Sequence, residues 1–316
     1  KGDVMLKYVL KRLGYILVTL WVIVTCTFFM MKNLPGTPFD AERFSIMTPQ
    51  QQERVLEMYG LNDSLPMQYV KYIKNMLKGD LGTSFTYVNQ DVSKVITGRL
   101  GPSALIGIQA VLIGLAIGLI LGILAAWKHN SGIDYFTMIL AVLGVSVPNF
   151  VAAALLQYYI GLKWGALPVG FWTGWNCSVL PSIALSFSAT AMVARFMRTE
   201  MLDVLDQDYI VTARAKGLSQ MKVLMRHAVR NSILPVVTIL GPIVVNLMTG
   251  SLAVENIFSI PGIGSLFVDC IKANDYPVIM GITIFYAAFY MLIVLLVDLA
   301  YSLIDPRIRL AKGKES

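Results

Sequence analysis

Charge is what this chain has least of. Only 14% of its 316 residues are Asp, Glu, Lys or Arg, while 56% are hydrophobic and the mean hydropathy is +0.65. That balance excludes an ordinary soluble domain as the first reading. The short motifs of common chemistries are missing too. No G-x-x-x-x-G-K-[ST] segment occurs, so the chain has no phosphate cradle of that type, and neither G-x-S-x-G nor H-E-x-x-H appears. Histidine occurs only at His129 and His227, each expected as a solvated loop side chain. The three cysteines, Cys26, Cys177 and Cys270, have no metal-binding spacing and read as small apolar fillers, with a bridge between Cys177 and Cys270 the open alternative. Catalysis by this chain is not expected, and no cofactor or metal of its own is implied.

Long apolar runs are abundant. About 20 helical residues cross a bilayer core of roughly 30 Å. Runs suited to this lie at Gly14–Met31, Pro102–Trp127, Tyr135–Leu162 (containing Pro148), Leu180–Ala194, Ile233–Val254 and Pro277–Val297. An all-α integral membrane protein with about six transmembrane helices follows, because hydrocarbon offers no partner for a free backbone N–H or C=O. The first run has the basic flank of a signal peptide, but it is longer than a usual h-region and no A-x-A site follows, so it is expected to remain as an anchor.

Lys and Arg set the orientation. Lys1, Lys7, Lys11 and Arg12 precede the first span, Lys128 follows the second, and Arg195, Arg198, Arg214, Lys216, Lys222, Arg226 and Arg230 fall after the fourth. The tail adds Arg307, Arg309, Lys312 and Lys314, whereas the opposite short loops offer only Lys163 and Lys272. Both termini are therefore expected to be cytoplasmic, and the net charge of +7 reflects this asymmetry rather than nucleic-acid binding. The parts are an arm with the first helix (1–31), an extracytoplasmic segment (32–101), a five-helix core (102–304) and a tail (305–316). Within the external segment Thr48, Pro49 and Gly60 bracket one expected helix and Met67–Leu77 forms a second, ending before Gly79.

The loop at 198–232 is more than a basic tether. Asp208 is placed to cap a helix from Tyr209 that stops at Gly217, and Ser219 to cap the next. In that second helix Met221, Leu224, Met225 and Ala228 share one face, and Lys222, Arg226 and Arg230 another. A positive-inside loop resting on anionic headgroups needs the charge but not the turn. A helix pair gripped by a groove in a soluble partner needs both.

"DYIVTARAKGLS" (208–219) and "RHAVRNSILP" (226–235) resemble the EAA loop of ABC importer permeases in its oligopeptide, dipeptide and nickel branch. Where the wider superfamily has Glu-Ala-Ala this chain has Val211, Thr212 and Ala213, and the distance from Gly217 to Pro235 is longer than the general pattern; the peptide branch shares both departures. "LPGTPFD", "YGLNDSLPMQYVKYIKNMLKGDLGTSF", "SVPNF", "ENIFSIPGIGSLFVDCI" and "DPRIR" extend the resemblance along nearly the whole chain.

The resemblance implies a type I importer permease fold (MetI-like). It also implies a second homologous permease, two ABC ATPase subunits that bind the ATP and Mg, and an extracytoplasmic peptide-binding protein delivering peptide into the channel. Asp208, Tyr209, Thr212, Ala213, Arg214, Ala215, Lys216, Gly217, Leu218 and Ser219 would form the ATPase-coupling loop, with Ala213 and Ala215 permitting close approach and Arg214 and Lys216 pairing with acids. A nickel-chelate or other small-solute importer is the alternative within the family. A secondary transporter is the alternative outside it, though that class calls for mid-membrane acids and a repeat, neither evident here.

Three further groups are singled out by their residues. Glu255, followed by Pro261, Gly262 and Gly264, reads as an outer gate or as a helix cap. Ser146, Asn149, Ser186, Ser188 and Asn246 read as lining a weakly polar path or as ordinary helix packing. Ala110, Gly114, Gly118, Gly122 and Ala126 put a small residue at every fourth position, which lets helices approach closely.

Overall fold

A computed structural model describes residues 2–33, 44, 46–58, 60–87, 90–249 and 251–304. The "LPGTPFD" stretch and the "DPRIR" tail lie outside the described residues. Every regular element among them is helical: α1 (Gly2–Lys32), α2 (Pro49–Met58), α3 (Leu65–Leu77), α4 (Val92–Trp127), α5 (Gly132–Ser146), α6 (Asn149–Leu156), α7 (Val179–Leu205), α8 (Asp208–Ala215), α9 (Gln220–Lys222), α10 (Arg230–Met248), α11 (Leu252–Ile257), α12 (Ile263–Lys272) and α13 (Tyr276–Ile304). Among the described residues five helical runs are long and apolar enough to cross a membrane, or six if one bent pair is counted as a span.

That bent pair corrects the expected third span. Tyr135–Leu162 is not one helix, since α5 and the run Asn149–Lys163 meet at 100°. Pro148 supplies no N–H and pushes Val147 out of the helical region, to φ −80° and ψ 119°. The fourth span is longer than expected, α7 continuing to Leu205, so Arg195 and Arg198 sit on the helix rather than in a loop. The second begins ten residues earlier, at Val92, and passes through Pro102 unbroken. At about 1.5 Å per residue α4 outreaches a bilayer core of roughly 30 Å.

The chain forms two compact units, Lys1–Gly101 with Ile263–Phe289, and Pro102–Gly262 with Tyr290–Ser316. In the first, Val92, Val95 and Ile96 pack with Ile263, Leu266, Cys270, Val278, Ile279 and Ile282. The expected start of α2 is present as a capping box: Thr48 N donates to Gln51 Oε1 at 2.9 Å and Gln51 N returns to Thr48 Oγ1 at 3.4 Å. α3 lies on α1 through Tyr69, whose hydroxyl is 2.6 Å from Thr25 Oγ1 and whose ring stacks on Phe29. The buried Asp275 carboxylate pins residues 84–87 to the start of α13. It accepts from Ser84 Oγ, from Phe85 N at 3.2 Å and from Thr86 N at 3.0 Å.

The second unit is built around α7, two-thirds of whose most apolar window is buried. In lipid the hydrophobic effect gives little advantage to helix association, so close packing decides. The small-residue stripe on α4 supplies it. A Cβ on Gly114 would lie 2.7 Å from Ala189 Cβ, one on Gly118 would lie 2.7 Å from Val193 Cβ, and one on Gly122 would lie 2.6 Å from Ala194 O. All three cysteines are free, so Cys177 and Cys270 are not bridged.

Candidate functional site

The basic loop is a helix, a left-handed glycine and a second helix. Asp208 is the first residue of α8 rather than its cap; Gln207 holds that position without a side-chain bond, and Asp208 contributes only as an acid in the first turn. Beyond the end of α8 and its cap Lys216 stands Gly217, whose φ of +76° is the region that only glycine enters without strain. Gly217 N donates to Arg214 O at 2.9 Å and Leu218 N reaches Ala213 O at 3.4 Å. Ser219 then caps α9, its Oγ accepting from Lys222 N at 3.5 Å.

Only Ile210 and Ala213 of α8 are buried, packed on Val223 with Val204 and Leu205 alongside. Ala213 is therefore not open to a partner; it fixes the loop to its own protein. Tyr209, Thr212, Arg214, Ala215, Lys216, Gly217, Leu218 and Ser219 are exposed. Arg214, Lys216, Lys222, Arg226 and Arg230 are exposed as well, and no ion pair is formed by them among the described residues.

The apolar face expected on the second helix is rotated. Val223–Val229 is π-helical, which widens the turn and shifts the residues that face inward. Val223, Leu224 and Ala228 are buried, whereas Met221 and Met225 are 51% and 54% exposed. Two methionines expected on one face with Leu224 and Ala228 thus join Val211 and Leu218 on the surface of the loop. Tyr209 is tied back to this helix, its hydroxyl accepting from Asn231 Nδ2 at 3.2 Å.

Glu255 lies elsewhere in the same unit, on α11, and is 2% exposed. Its Oε1 accepts from Ser103 Oγ at 2.7 Å. The chain folds back over it: Ile260 N donates to Glu255 O at 2.8 Å, Pro261 follows, and a Cβ on Gly262 would fall 2.3 Å from the carboxyl carbon. Gly262 is glycine because the carboxylate occupies the place of its side chain. The segment is held from the other side by Gln157, whose Nε2 donates to Ile257 O at 2.7 Å, and by Phe171 N bonding Phe258 O at 2.8 Å. Gly264 belongs to α12 in the first unit.

The candidate path residues separate. Ser146 and Asn149 flank the 100° bend, exposed and half-buried respectively, and Asn246 is exposed on α10. Ser186 is buried and bonds Ile183 O of its own helix at 2.8 Å, the arrangement of the packing alternative; Ser188 is half-buried.

One cluster was missed by the sequence reading. Asp134, in the first turn of α5, is buried and held bidentately by Arg198 of α7, Nε to Oδ1 at 2.6 Å and Nη2 to Oδ2 at 2.8 Å. Asn130 N adds a bond at 3.0 Å. His129 Nδ1 stands 3.1 Å from Asp134 Oδ2, so this histidine is part of an ion-pair cluster rather than simply solvated. The only hint available was an acid opening the apolar run "GIDYFTMIL".

The sequence profile described as "Binding-protein-dependent transport system inner membrane component" matches residues 118–310, and its N-terminal companion matches residues 5–100. The dipeptide transport system permease protein DppB of Lactococcus lactis subsp. cremoris is 46% identical over 97% of this chain and 100% of its own length. DppB of Bacillus subtilis is 43% identical over 98% and 99%, and the oligopeptide transport system permease protein OppB of Haemophilus influenzae 39% identical over 96% and 100%. A crystal structure of an amino acid ABC transporter with histidines aligns at a TM-score of 0.50 and 19% identity, over 68% of this chain and 94% of that one, a likeness of fold alone.

Proposed function

The chain belongs to the binding-protein-dependent transport system inner membrane component family, and from that premise we propose that it is a permease subunit of an ATP-driven importer of dipeptides and oligopeptides. The observation that carries the substrate class is similarity to named peptide permeases over essentially the whole length of both chains. The all-helical, MetI-like fold agrees with that reading.

In this proposal the chain forms half of a pathway with a homologous second permease in the bacterial inner membrane, both termini cytoplasmic. Two ATPase subunits bind ATP and Mg, and an extracytoplasmic binding protein delivers the peptide. The exposed cations of the basic loop are suited to an acidic groove on an ATPase subunit. Exposed Leu218, Met221 and Met225 supply apolar contact beside them. A partner drives the permease only by gripping its two states unequally, since equal affinity shifts nothing. Gly217 sets the angle at which α8 is presented. Glu255, clasped by Ser103 and closed over by Pro261 and Gly262, is the proposed outer gate: a chain fold that opens only by uncovering a buried carboxylate resists partial opening.

The test is uptake of a labelled peptide pool into vesicles carrying the whole complex. Uptake that requires ATP and the binding protein, and survives a protonophore, is expected. Uptake that persists without the ATPase subunits and collapses with a protonophore would overturn ATP-driven import. ATP-dependent transport of a nickel chelate in place of peptide would overturn the substrate class.

A further inference from the structure

We propose that Asp134 and Arg198 are positioning residues that lock α5 to the far end of α7, so that movement of the basic loop reaches the 100° bend as the motion of one rigid body. The proposal rests on the reading of that loop as the coupling element. It adds the route by which force leaves it.

The geometry runs outward from the loop. α8 is pinned by Ile210 and Ala213, and from α7 it is separated only by Asp206 and Gln207. The last turns of α7 carry Arg198 and, beside it, Met197 and Met201, both fully buried. Ser232 Oγ reaches Glu200 O at 3.2 Å, tying the start of α10 to the same turns. Arg198 then grips Asp134 through two parallel bonds, the fork geometry of a planar guanidinium on a carboxylate. Asn130 N and His129 Nδ1 close the remaining side of that carboxylate and draw the α4–α5 turn into the cluster.

Such a joint resists sliding. The Asp134 side chain is only 3% exposed, so separating it from Arg198 would leave a carboxylate desolvated and unpaired. The two helices meet again at the other end of α5, where a Cβ on Gly144 would lie 3.0 Å from Phe187 O and 3.1 Å from Ala191 Cβ. Gly144 is two residues before Ser146, and Asn149 begins the bent partner helix. A shift of the loop applied at Arg198 is therefore passed along α5 to the residues flanking the bend, whereas without the ion pair only packing and the contact of Arg198 Nη2 with His129 Nδ1, at 3.2 Å, tie this end of α5 to α7.

The proposal separates from a purely structural role by the ratio of transport to hydrolysis. In the reconstituted complex Asp134→Asn should leave assembly and ATP hydrolysis in place while peptide imported per ATP falls by about tenfold, the size of a lost coupling contact. A second arm reads rigidity directly and does not depend on the charge variant folding. Spin labels on the exposed Val145 of α5 and Met192 of α7, in a background with the native cysteines replaced, should keep one separation with and without nucleotide, because parts of one body do not move apart. Unchanged import per ATP in Asp134→Asn, or a label separation that changes with nucleotide, would overturn the lock. A wild-type complex that imports no peptide would instead defeat the importer reading, which the wild-type control reveals first.

Discussion

Arg198 and Arg214 are the same residue type on two adjoining helices, in opposite circumstances. Arg198 is forked onto a buried carboxylate of its own chain, while Arg214 is exposed and makes no ion pair among the described residues. The first arrangement spends a charge on internal rigidity, which works because both partners are desolvated together with good geometry. The second leaves a charge available, where an exposed partner would have returned only about 0–1 kcal/mol. The contrast teaches that a cation in a membrane protein is assigned by its partner and not by its position in a basic run. The same division holds for the apolar residues around it, with Leu224 inside and Met225 outside.

Variants can break that contrast, beginning with the packed side. Gly118→Leu forces a side chain into Val193 and Thr190, and overpacking of this kind costs about 1–3 kcal/mol or more where backbone is the obstacle. The expected result is a large fall in the thermal midpoint of the purified complex; an unchanged midpoint would mean that α4 and α7 do not touch along the stripe. The π-helical register comes next. Leu224→Ala should destabilise by about 2–5 kcal/mol and Met225→Ala by roughly 0.5 or less, read from denaturation of the same complex. Equal costs, or the reverse order, would restore the regular helical face and remove the exposed methionines from the docking surface. A smaller cost than that of Leu224→Ala is expected for Glu255→Gln, which keeps an acceptor for Ser103 and loses charge assistance there, on the order of 1 kcal/mol. If the carboxylate holds the outer gate, uptake falls well beyond that modest change; normal uptake would leave Glu255 a packing residue.

What the sequence made legible was local. Apolar runs located the spans, Thr48 and Pro49 marked a helix start that the structure completes with Gln51, and Gly217 marked a stop because few residues other than glycine take a positive φ. The spacing of Gly114, Gly118 and Gly122 was readable for the same reason, since four residues return to one helix face. Pro148 lay inside a single expected span, Tyr135–Leu162, and nothing nearby gave the 100° bend that divides it. The π-helical turn at Val223–Val229 rotated Met221 and Met225 outward against the helical period, and no residue type announces it. The pairs Asp134 with Arg198, Glu255 with Ser103, and Asp275 with Ser84 join residues far apart in the chain, and periodicity is blind to such contacts.

The central claim, that exposed Arg214 and Lys216 at the end of α8 connect this permease to its ATPase, is tested most directly by measuring peptide uptake and ATP hydrolysis in the same vesicles for wild type and for Arg214→Glu with Lys216→Glu. With both side chains exposed, fold and membrane insertion should be untouched, and uptake should fall by about tenfold or more, a loss of roughly 1.4 kcal/mol of coupling per decade. Wild-type uptake and wild-type stimulation of hydrolysis in the doubly reversed variant would contradict the account and return the loop to the role of a headgroup tether.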